Sequence, residues 1–492
     1  MMVETKSGPL RGSEKGGVLR FRGIPYAAPP VGSRRFRPPE PVEPWTEVRD
    51  ATAFGAMAPQ VAGGLEAMLG SGSMPQAEDC LSLNVVTPAC DDVARPVMVW
   101  IHGGGFTSGA GSVPWYHGNR FAALDDVVVV AINYRLGVLG FSHLPDLGEG
   151  YAGSVNCGIL DQVAALRWVA DNIAAFGGDP DLVTVFGESA GGMSTATLLG
   201  TPAAGGLIRR AIAQSGSCQA VSTPEQAAAT TAVVLEAIGA SSQEALLDAP
   251  VETLLAAQQE LSAKRLLGAT SATQGLLPFQ PAVDGVVLPE PPLDAIAAGA
   301  SPDVELMTGW TAEEFNLFTA LLNRGPLDES GVLRFVGRYS GAEAAPAIVE
   351  EYRGEAPDAT PDELLCTIVT DRLFRWPAEA LLDAQSAHAD TYGYRFSYRS
   401  TAFDGKLGAC HALDVPFTFD VVDRPASAFF VGAPTEGAIA LARSMRSAWA
   451  AFARDGAPAA DDLPAWPRWD SEAREVLDLD VEPSVRSLRR SG

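Results

Sequence analysis

The sequence predicts an α/β fold in which a mostly parallel central sheet is flanked by helices. Three continuous apolar runs of strand length lie at 96–101, 127–132 and 182–186. Runs of this kind fit strands that are buried on both faces of a parallel sheet. A helical pattern at 159–176 lies between the last two runs and ends at a Gly-Gly pair, which is a helix stop signal. The order strand, helix, strand, helix is typical of a doubly wound α/β domain.

The rest of the chain adds elements of the same two kinds. Further strand-like runs lie at 304–308 and 391–398, and a strong helix candidate lies at 437–454. No charged or glycine- and serine-rich linker divides the sequence. We therefore expect a single domain over residues 1–492, with helical insertions at roughly 220–300 and 317–385.

Composition and charge limit what the chain can bind. Its 492 residues are 47% apolar, which is enough for a large buried core. Acidic residues outnumber basic ones by 60 to 35, and the formal net charge is -25. A surface of that sign repels phosphate backbones and anionic membranes, so we expect no nucleic-acid or membrane partner. No run of about 18 apolar residues occurs, so we also expect no transmembrane helix.

Cysteine and histidine usage argues against disulfides and metal centres. The six cysteines lack C-x-x-C spacing, and the N-terminal segment MMVETKSGPLRG has no apolar core of a secretion signal. We therefore expect reduced thiols and a cytoplasmic location. The five histidines form no H-x-x-x-H or H-E-x-x-H pair, so we expect neither a metal site nor a metal cofactor.

A G-x-S-x-G motif marks the candidate nucleophile. The segment GESAG at 187–191 follows the apolar run at 182–186 and precedes a helical segment. In this strand–turn–helix setting the motif predicts a nucleophile elbow, whose sharp turn needs small residues beside the serine. Ser189 would then project at the carboxyl edge of the sheet, above a helix N-terminus that favours an anion. An ordinary glycine-rich turn is the alternative.

A second glycine motif follows an earlier predicted strand. The segment HGGGF at 102–106 comes directly after the run at 96–101. Bare glycine N–H groups in such a loop can donate to the alkoxide of an acyl-transfer intermediate. A flexible glycine turn is the alternative. The HGGGF loop and the GESAG motif follow strands of the same predicted βαβ unit, however, and this favours an oxyanion hole.

The chain resembles the type-B carboxylesterase family, which includes the cholinesterases, over most of its length. The similar blocks are FRGIPYAAPP at 21–30, EDCLSLN at 78–84, WIHGGGF at 100–106, NYRLGVLGF at 133–141, the long block at 156–192 and AIAQSGS at 211–217. The resemblance implies an α/β-hydrolase fold with helical insertions around the active-site entrance. It also implies a serine esterase that needs no cofactor and acts on small-molecule esters.

The resemblance assigns a Ser–Glu–His triad in that chain order. Ser189 takes the nucleophile position, and the segment GACHALDVPF places His411 as the general base. The segment TGWTAEEFNLF resembles the family pattern G-x-x-x-D-E-G-x-x-F and places Glu314 as the acid. Phe315 stands where the family usually has glycine, so Glu313 remains the alternative acid.

The resemblance also implies roles for the groups around the triad. Gly104, Gly105 and Ala190 correspond to the oxyanion-hole donors. Glu188 corresponds to an acidic residue that helps to order the pocket. His102 is more simply explained as a packing residue whose backbone shapes the glycine loop.

Two departures from the family limit the expected chemistry. Ala58 stands where the family usually has a cysteine that pairs with that of the E-D-C block, so Cys80 lacks this partner. This agrees with reduced thiols. Cholinesterases hold quaternary ammonium groups on a tryptophan by cation–π contact, but residues 61–79 contain no aromatic side chain. Choline esters are therefore not expected as substrates.

Together these features predict hydrolysis of small to medium carboxylic esters through an acyl-enzyme intermediate. A preference for amides, carbamates or lipid esters stays open, because triad chemistry alone does not exclude it, and the helical segment 317–384 could form a lid. A non-catalytic binding protein of the same fold is the alternative from another class, and the intact motifs argue against it.

Three smaller questions stay open or are disfavoured at this point. Trp115 and Tyr116 could line the pocket or serve only in packing. A dyad of Cys410 and His411 is disfavoured, because adjacent side chains diverge. The oligomeric state is open.

Overall fold

The computed structural model describes residues 1–61, 74–266, 277–321 and 325–489. Their strands are β1 (Met2–Thr5), β2 (Gly8–Arg11), β3 (Ser13–Lys15), β4 (Val18–Pro25), β5 (Arg49–Asp50), β6 (Ser82–Thr87), β7 (Arg95–Ile101), β8 (Val128–Ile132), β9 (Gly178–Glu188), β10 (Arg210–Gln214), β11 (Glu305–Thr311), β12 (Thr391–Phe396), β13 (Glu475–Leu479) and β14 (Ser484–Ser487).

The α-helices of these residues follow the same numbering by chain order. They are α1 (Asn119–Asp125), α2 (Gly137–Gly140), α3 (Cys157–Asn172), α4 (Ala190–Leu199), α5 (Pro224–Ala237), α6 (Ala245–Asp248), α7 (Val251–Leu266), α8 (Pro292–Ala297), α9 (Phe315–Leu321), α10 (Glu329–Ser340), α11 (Ala345–Glu355), α12 (Pro361–Thr370), α13 (Trp376–Ser386), α14 (Val415–Thr418), α15 (Pro425–Val431) and α16 (Glu436–Asp455).

An eleven-stranded sheet forms the centre of the described chain, in the order β14-β13-β12-β11-β10-β9-β7-β8-β6-β4-β3. The pairs from β8 through β7, β9, β10, β11 and β12 to β13 are parallel. Antiparallel strands extend the sheet at both edges. Every residue of β7, β8 and β10 is buried, because helices cover both faces of the parallel region. The predicted mostly parallel sheet is confirmed.

The strand register brings several loops to one edge of the sheet. Ile101 at the end of β7 lies opposite Gly187 in β9. Gln214 at the end of β10 lies opposite Glu188 on one side and Gly309 on the other. Parallel strands end at the same edge, so the loops after β7, β9 and β11 meet there.

The antiparallel strands that precede β7 carry a weaker sequence signal than the central strands. β4 reads VLRFRGIP, in which arginine and glycine interrupt both the apolar run and the alternation. The three-stranded sheet of β1, β2 and β5 consists of strands of two to four residues. Strands this short give too little periodicity for a prediction.

The predicted insertions are helical where the structure describes them. Helices α5 to α8 fall within the first predicted range, and helices α9 to α13 span the second. Residues 267–276 and 322–324 lie outside the described residues, as does most of the segment 61–79, whose lack of aromatic residues argues against choline esters. The assignment of the whole chain to one domain stays a prediction. None of the helices in the described ranges is both long and apolar enough to cross a membrane.

Candidate active site

The predicted nucleophile lies in a strained turn between β9 and α4. Ser189 has φ 57° and ψ −124°, a conformation that L-residues rarely adopt. Its N–H donates to Gln214 O at 2.9 Å, and its carbonyl accepts from Met193 N at 2.8 Å. Gly191 permits the close approach of helix and sheet, because a Cβ there would lie 2.0 Å from Ile101 O. This is the geometry of a nucleophile elbow.

The glycine loop after β7 lies against the same serine. A Cβ on Gly103 would lie 3.1 Å from Ser189 Cβ. Gly104 and Gly105 have φ of 109° and 59°, which glycine adopts without strain. Within the described residues, the backbone N–H groups of Gly104, Gly105 and Ala190 donate to no acceptor. The site therefore offers backbone donors to an anion, and the N-terminus of α4 reinforces them.

His411 and Glu314 meet although 97 positions separate them in the chain. His411 Nδ1 donates to Glu314 Oε2 at 2.6 Å, and Thr311 N donates to Oε1 of the same carboxylate at 2.8 Å. Glu314 is fully buried. Since an ionised carboxylate only accepts hydrogen bonds, this contact keeps a proton on Nδ1, and when the imidazole is neutral its lone pair is on Nε2.

Glu313, the alternative acid, has different partners. Its Oε2 lies 2.5 Å from Arg399 Nη1 and accepts from Ala409 N at 2.8 Å. Its side chain is 26% exposed, whereas that of Glu314 is 0% exposed. Of these two neighbouring carboxylates, Glu314 is the one that contacts His411.

Glu188 places a second carboxylate beside the imidazole. Its Oε1 lies 3.2 Å from His411 Nε2, and this oxygen accepts no hydrogen bond from any described residue. Burial raises the pKa of Glu188 to about 8, against the opposing effect of His411. Burial alone would lower the pKa of His411, but the negative charges of Glu188 and Glu314 outweigh it and raise that pKa to about 9.

Ser189 and His411 line one cavity of about 580 Å³. That volume lies within the range of about 300–1,000 Å³ that is common for small-molecule sites. The cavity walls are mainly apolar, and the rings of Phe318 and Phe374 lie 5.2 and 5.1 Å from the imidazole. Both phenylalanines belong to the helical region 315–386, whose sequence pattern predicts helices and does not show which side chains reach the site.

The comparisons with known proteins agree with this geometry. The sequence model of the Carboxylesterase family matches residues 1–491. The chain belongs to the carboxylesterase family. Para-nitrobenzyl esterase of Bacillus subtilis (strain 168) is 42% identical over 99% of this chain and 96% of its own length. Phenmedipham hydrolase of Pseudarthrobacter oxydans is 38% identical over 97% of this chain and 94% of its own.

Solved structures give the same result for the fold. The crystal structure of a Geobacillus stearothermophilus carboxylesterase at pH 6.2 superposes with a TM-score of 0.88 at 42% identity, covering 99% of this chain and 97% of that one. The predicted α/β-hydrolase fold is confirmed, and this carboxylesterase is a serine hydrolase of carboxylic esters.

Other residues singled out from the sequence are buried in this carboxylesterase, and two of them also line the cavity. His102 stacks on Tyr134 with ring centroids 4.6 Å apart, and burial lowers the pKa of its imidazole to about 4. Cys410 is fully buried, and burial raises the pKa of its thiol, so it is a poor nucleophile. Trp115 and Tyr116 are buried and also line the cavity, so both earlier interpretations of them hold.

Sequence reasoning missed a buried carboxylate that anchors the histidine segment. Asp414 Oδ2 accepts from Gln214 Nε2 at 2.8 Å and from Tyr394 OH at 3.0 Å. Burial raises the pKa of this carboxyl to about 6. The only signal was its place three residues after His411 in the block that carries the family resemblance.

Replacing Gly191 with alanine tests the close packing of the elbow. The added Cβ would lie 2.0 Å from Ile101 O, so α4 has to move and the backbone N–H of Ala190 moves with it. We expect Gly191→Ala to lower both the melting temperature and kcat/KM. Gly354→Ala is the matched control, because a Cβ on this glycine of α11 would meet nothing within 4 Å. We expect the control to gain about 0.5–1 kcal/mol of stability, and equal behaviour of the two variants would contradict the close-packing argument.

Proposed function

We propose that this protein hydrolyses small to medium carboxylic esters by acyl transfer through Ser189, His411 and Glu314. The observation that carries the proposal is the set of groups that lines one cavity at one sheet edge. A strained serine, available backbone donors and a histidine bonded to a buried carboxylate all border the same cavity. Each of these is a part that ester hydrolysis by a serine nucleophile needs.

In the first step Ser189 Oγ attacks the ester carbonyl carbon while His411 Nε2 takes the serine proton. The carbonyl π electrons move to oxygen, and the N–H groups of Gly104, Gly105 and Ala190 stabilise the resulting oxyanion. Glu314 holds the imidazole through Nδ1 and stabilises its charged form. When the tetrahedral intermediate collapses, the C–O bond to the alcohol breaks and His411 returns the proton to the leaving oxygen.

In the second step water repeats the attack on the acyl-enzyme. His411 Nε2 takes a proton from water, hydroxide oxygen bonds to the acyl carbon, and the bond to Ser189 Oγ breaks with return of the proton. The products are a carboxylic acid and the regenerated serine. Neither step uses a metal ion or an organic cofactor.

The size and lining of the cavity support esters of small to medium acyl chains. Its 580 Å³ is shared between the acyl and alcohol groups, and Phe318 and Phe374 narrow the space around His411.

Hydrolysis of p-nitrophenyl acetate, butyrate, octanoate and palmitate by the purified protein tests this proposal. We expect kcat/KM to be highest for the short and medium chains and to fall sharply for palmitate. Phe374→Ala should raise the octanoate-to-acetate ratio of kcat/KM by about tenfold, the lower end of the discrimination that one methylene group gives in an apolar pocket. Phe403→Ala is the control, because Phe403 is 54% exposed and does not line the cavity. A wild-type preference for palmitate, or equal shifts in the two variants, would contradict the proposed substrate class.

The pH dependence of kcat/KM should respond to the charge of Glu188. His411 acts as a base only when neutral, so activity rises as the pH passes its pKa. Glu188 lies 3.2 Å from Nε2, and its negative charge raises the pKa of His411. Glu188→Gln should therefore move the acidic limb of the kcat/KM profile to lower pH. Glu313→Gln is the control, because that carboxylate pairs with Arg399, and its profile should match the wild type. A limb that stays in place or moves to higher pH in Glu188→Gln would refute this role.

The proposal includes a cytoplasmic location. All six cysteines are unpaired, which suits a reducing compartment. Fractionation of the source cells with an antibody to the protein tests this, and recovery outside the cytoplasmic fraction would contradict it.

A further inference from the structure

A cleft away from the candidate active site collects positive charge in a strongly acidic protein. It has a volume of about 480 Å³ and lies where β3, β4, α1 and the segment before α15 meet. Five cationic side chains line it: Lys15, Arg20, Arg22, Arg120 and Arg424. No acidic residue is among the described residues that line it, although acidic residues outnumber basic ones by 60 to 35 in the chain.

Arg20 is the least compensated of these cations. It is 8% exposed, and its buried Nε has no hydrogen-bond partner in the described structure. It forms no ion pair with any described residue. A buried N–H group that has lost its hydration and gained no acceptor is unfavourable, and an anion in the cleft would supply that acceptor.

The neighbours of Arg20 make its position more unfavourable still. Arg22 stands over the ring of Phe54 at 4.1 Å and pairs with no described carboxylate. Burial lowers the pKa of Arg22, and the positive charge of Arg20 lowers it further. Burial also lowers the pKa of His117 to about 4, so this neighbour is neutral.

The remaining cations are only partly neutralised. Arg120 contacts Asp420 and Asp423, at 2.9 and 2.6 Å. Arg424 lies 3.9 Å from Asp423, and its side chain is 59% exposed. Lys15 is exposed and has no described acidic partner. The cleft therefore retains an excess of positive charge after every described ion pair is counted.

We propose that this cleft binds a dianion of the phosphate class, either free phosphate or a phosphate monoester. Guanidinium groups match the oxygens of phosphate in paired hydrogen bonds, and two negative charges balance the unpaired Arg20 and Arg22. The volume leaves room for an organic group beside the phosphate. The site is separate from the proposed ester chemistry, since it shares no residue with the lining of the catalytic cavity.

Thermal unfolding at fixed ionic strength and slightly alkaline pH tests this site with inorganic phosphate, glycerol 3-phosphate and chloride. We expect the melting temperature of the wild type to rise saturably with at least one of the two phosphates and not with chloride. A rise with inorganic phosphate alone assigns free phosphate, a rise with glycerol 3-phosphate alone assigns a monoester, and when both raise it the ligand with the larger rise at equal concentration is the one assigned.

Arg20→Met is the decisive variant, and Arg11→Met is its control. Arg11 is an exposed arginine paired with Asp50 at 3.1 Å, so its loss changes the net charge equally and leaves the cleft intact. We expect Arg20→Met to lose the phosphate-dependent rise and to melt no lower than the wild type in chloride, while the control keeps the rise. Absence of a phosphate-specific rise in the wild type, or its persistence in Arg20→Met, would overturn the proposal.

Discussion

Ser189→Ala should lower kcat for p-nitrophenyl butyrate by about 10⁶-fold, the loss typical of removing a serine nucleophile. The variant keeps the cavity and the backbone donors but has no oxygen that can form the acyl-enzyme. Steady-state kinetics with active-site titration of the wild type measures the effect. The residual rate should then not depend on His411, because the serine proton that it would accept is gone.

Ser194→Ala is the matched control for this variant. Ser194 lies in the same helix, α4, is fully buried and accepts a hydrogen bond from Gln162 Nε2 at 2.9 Å. Its loss should reduce stability by about 1 kcal/mol, as for a typical buried hydrogen bond, and leave kcat close to the wild type. A Ser189→Ala protein that is folded and retains a substantial part of wild-type activity would refute the assignment.

Glu314→Gln should lower kcat by about 10⁴-fold, because an amide at this position no longer fixes the Nδ1–H tautomer or stabilises the imidazolium. Glu313→Gln offers a control of the same chemistry one residue away. Its carboxylate pairs with Arg399 and does not touch His411, so its kcat should stay near the wild-type value.

The two variants also decide which of the adjacent glutamates is the acid of the triad, a question that the sequence left open. If Glu313→Gln were the inactive variant and Glu314→Gln the active one, the acid of the triad would be Glu313. The 2.6 Å hydrogen bond between His411 and Glu314 would then not be needed for catalysis. Circular dichroism and melting temperature must be measured for both, because Glu314 is buried and its amide could also affect folding.

The sequence predicted the parallel centre of the fold because its strands are buried on both faces and read as continuous apolar runs. β7, β8 and β9 lie where those runs occur, and Ser189 follows β9 directly. The position of Ser189 could be predicted because the elbow is local, with its turn, glycines and helix start within a few residues.

The remaining features depend on contacts between distant segments. The hydrogen bond between His411 and Glu314 joins residues that are 97 positions apart, so only the family resemblance suggested it. Phe318 and Phe374 reach the imidazole from helices whose sequence pattern says nothing about their direction. The basic cleft combines side chains from the start, the first third and the end of the chain, and no local pattern predicts such a cluster.

Covalent labelling with a fluorophosphonate, followed by intact-mass measurement and peptide mapping, tests the central claim most directly. The reagent reacts fastest with an activated serine, so the wild type should gain a single adduct on Ser189 and lose esterase activity in proportion to labelling. Ser189→Ala should gain none, and Glu314→Gln should react far more slowly than Glu313→Gln. An adduct on another residue, or full labelling of Ser189→Ala, would contradict the proposed mechanism.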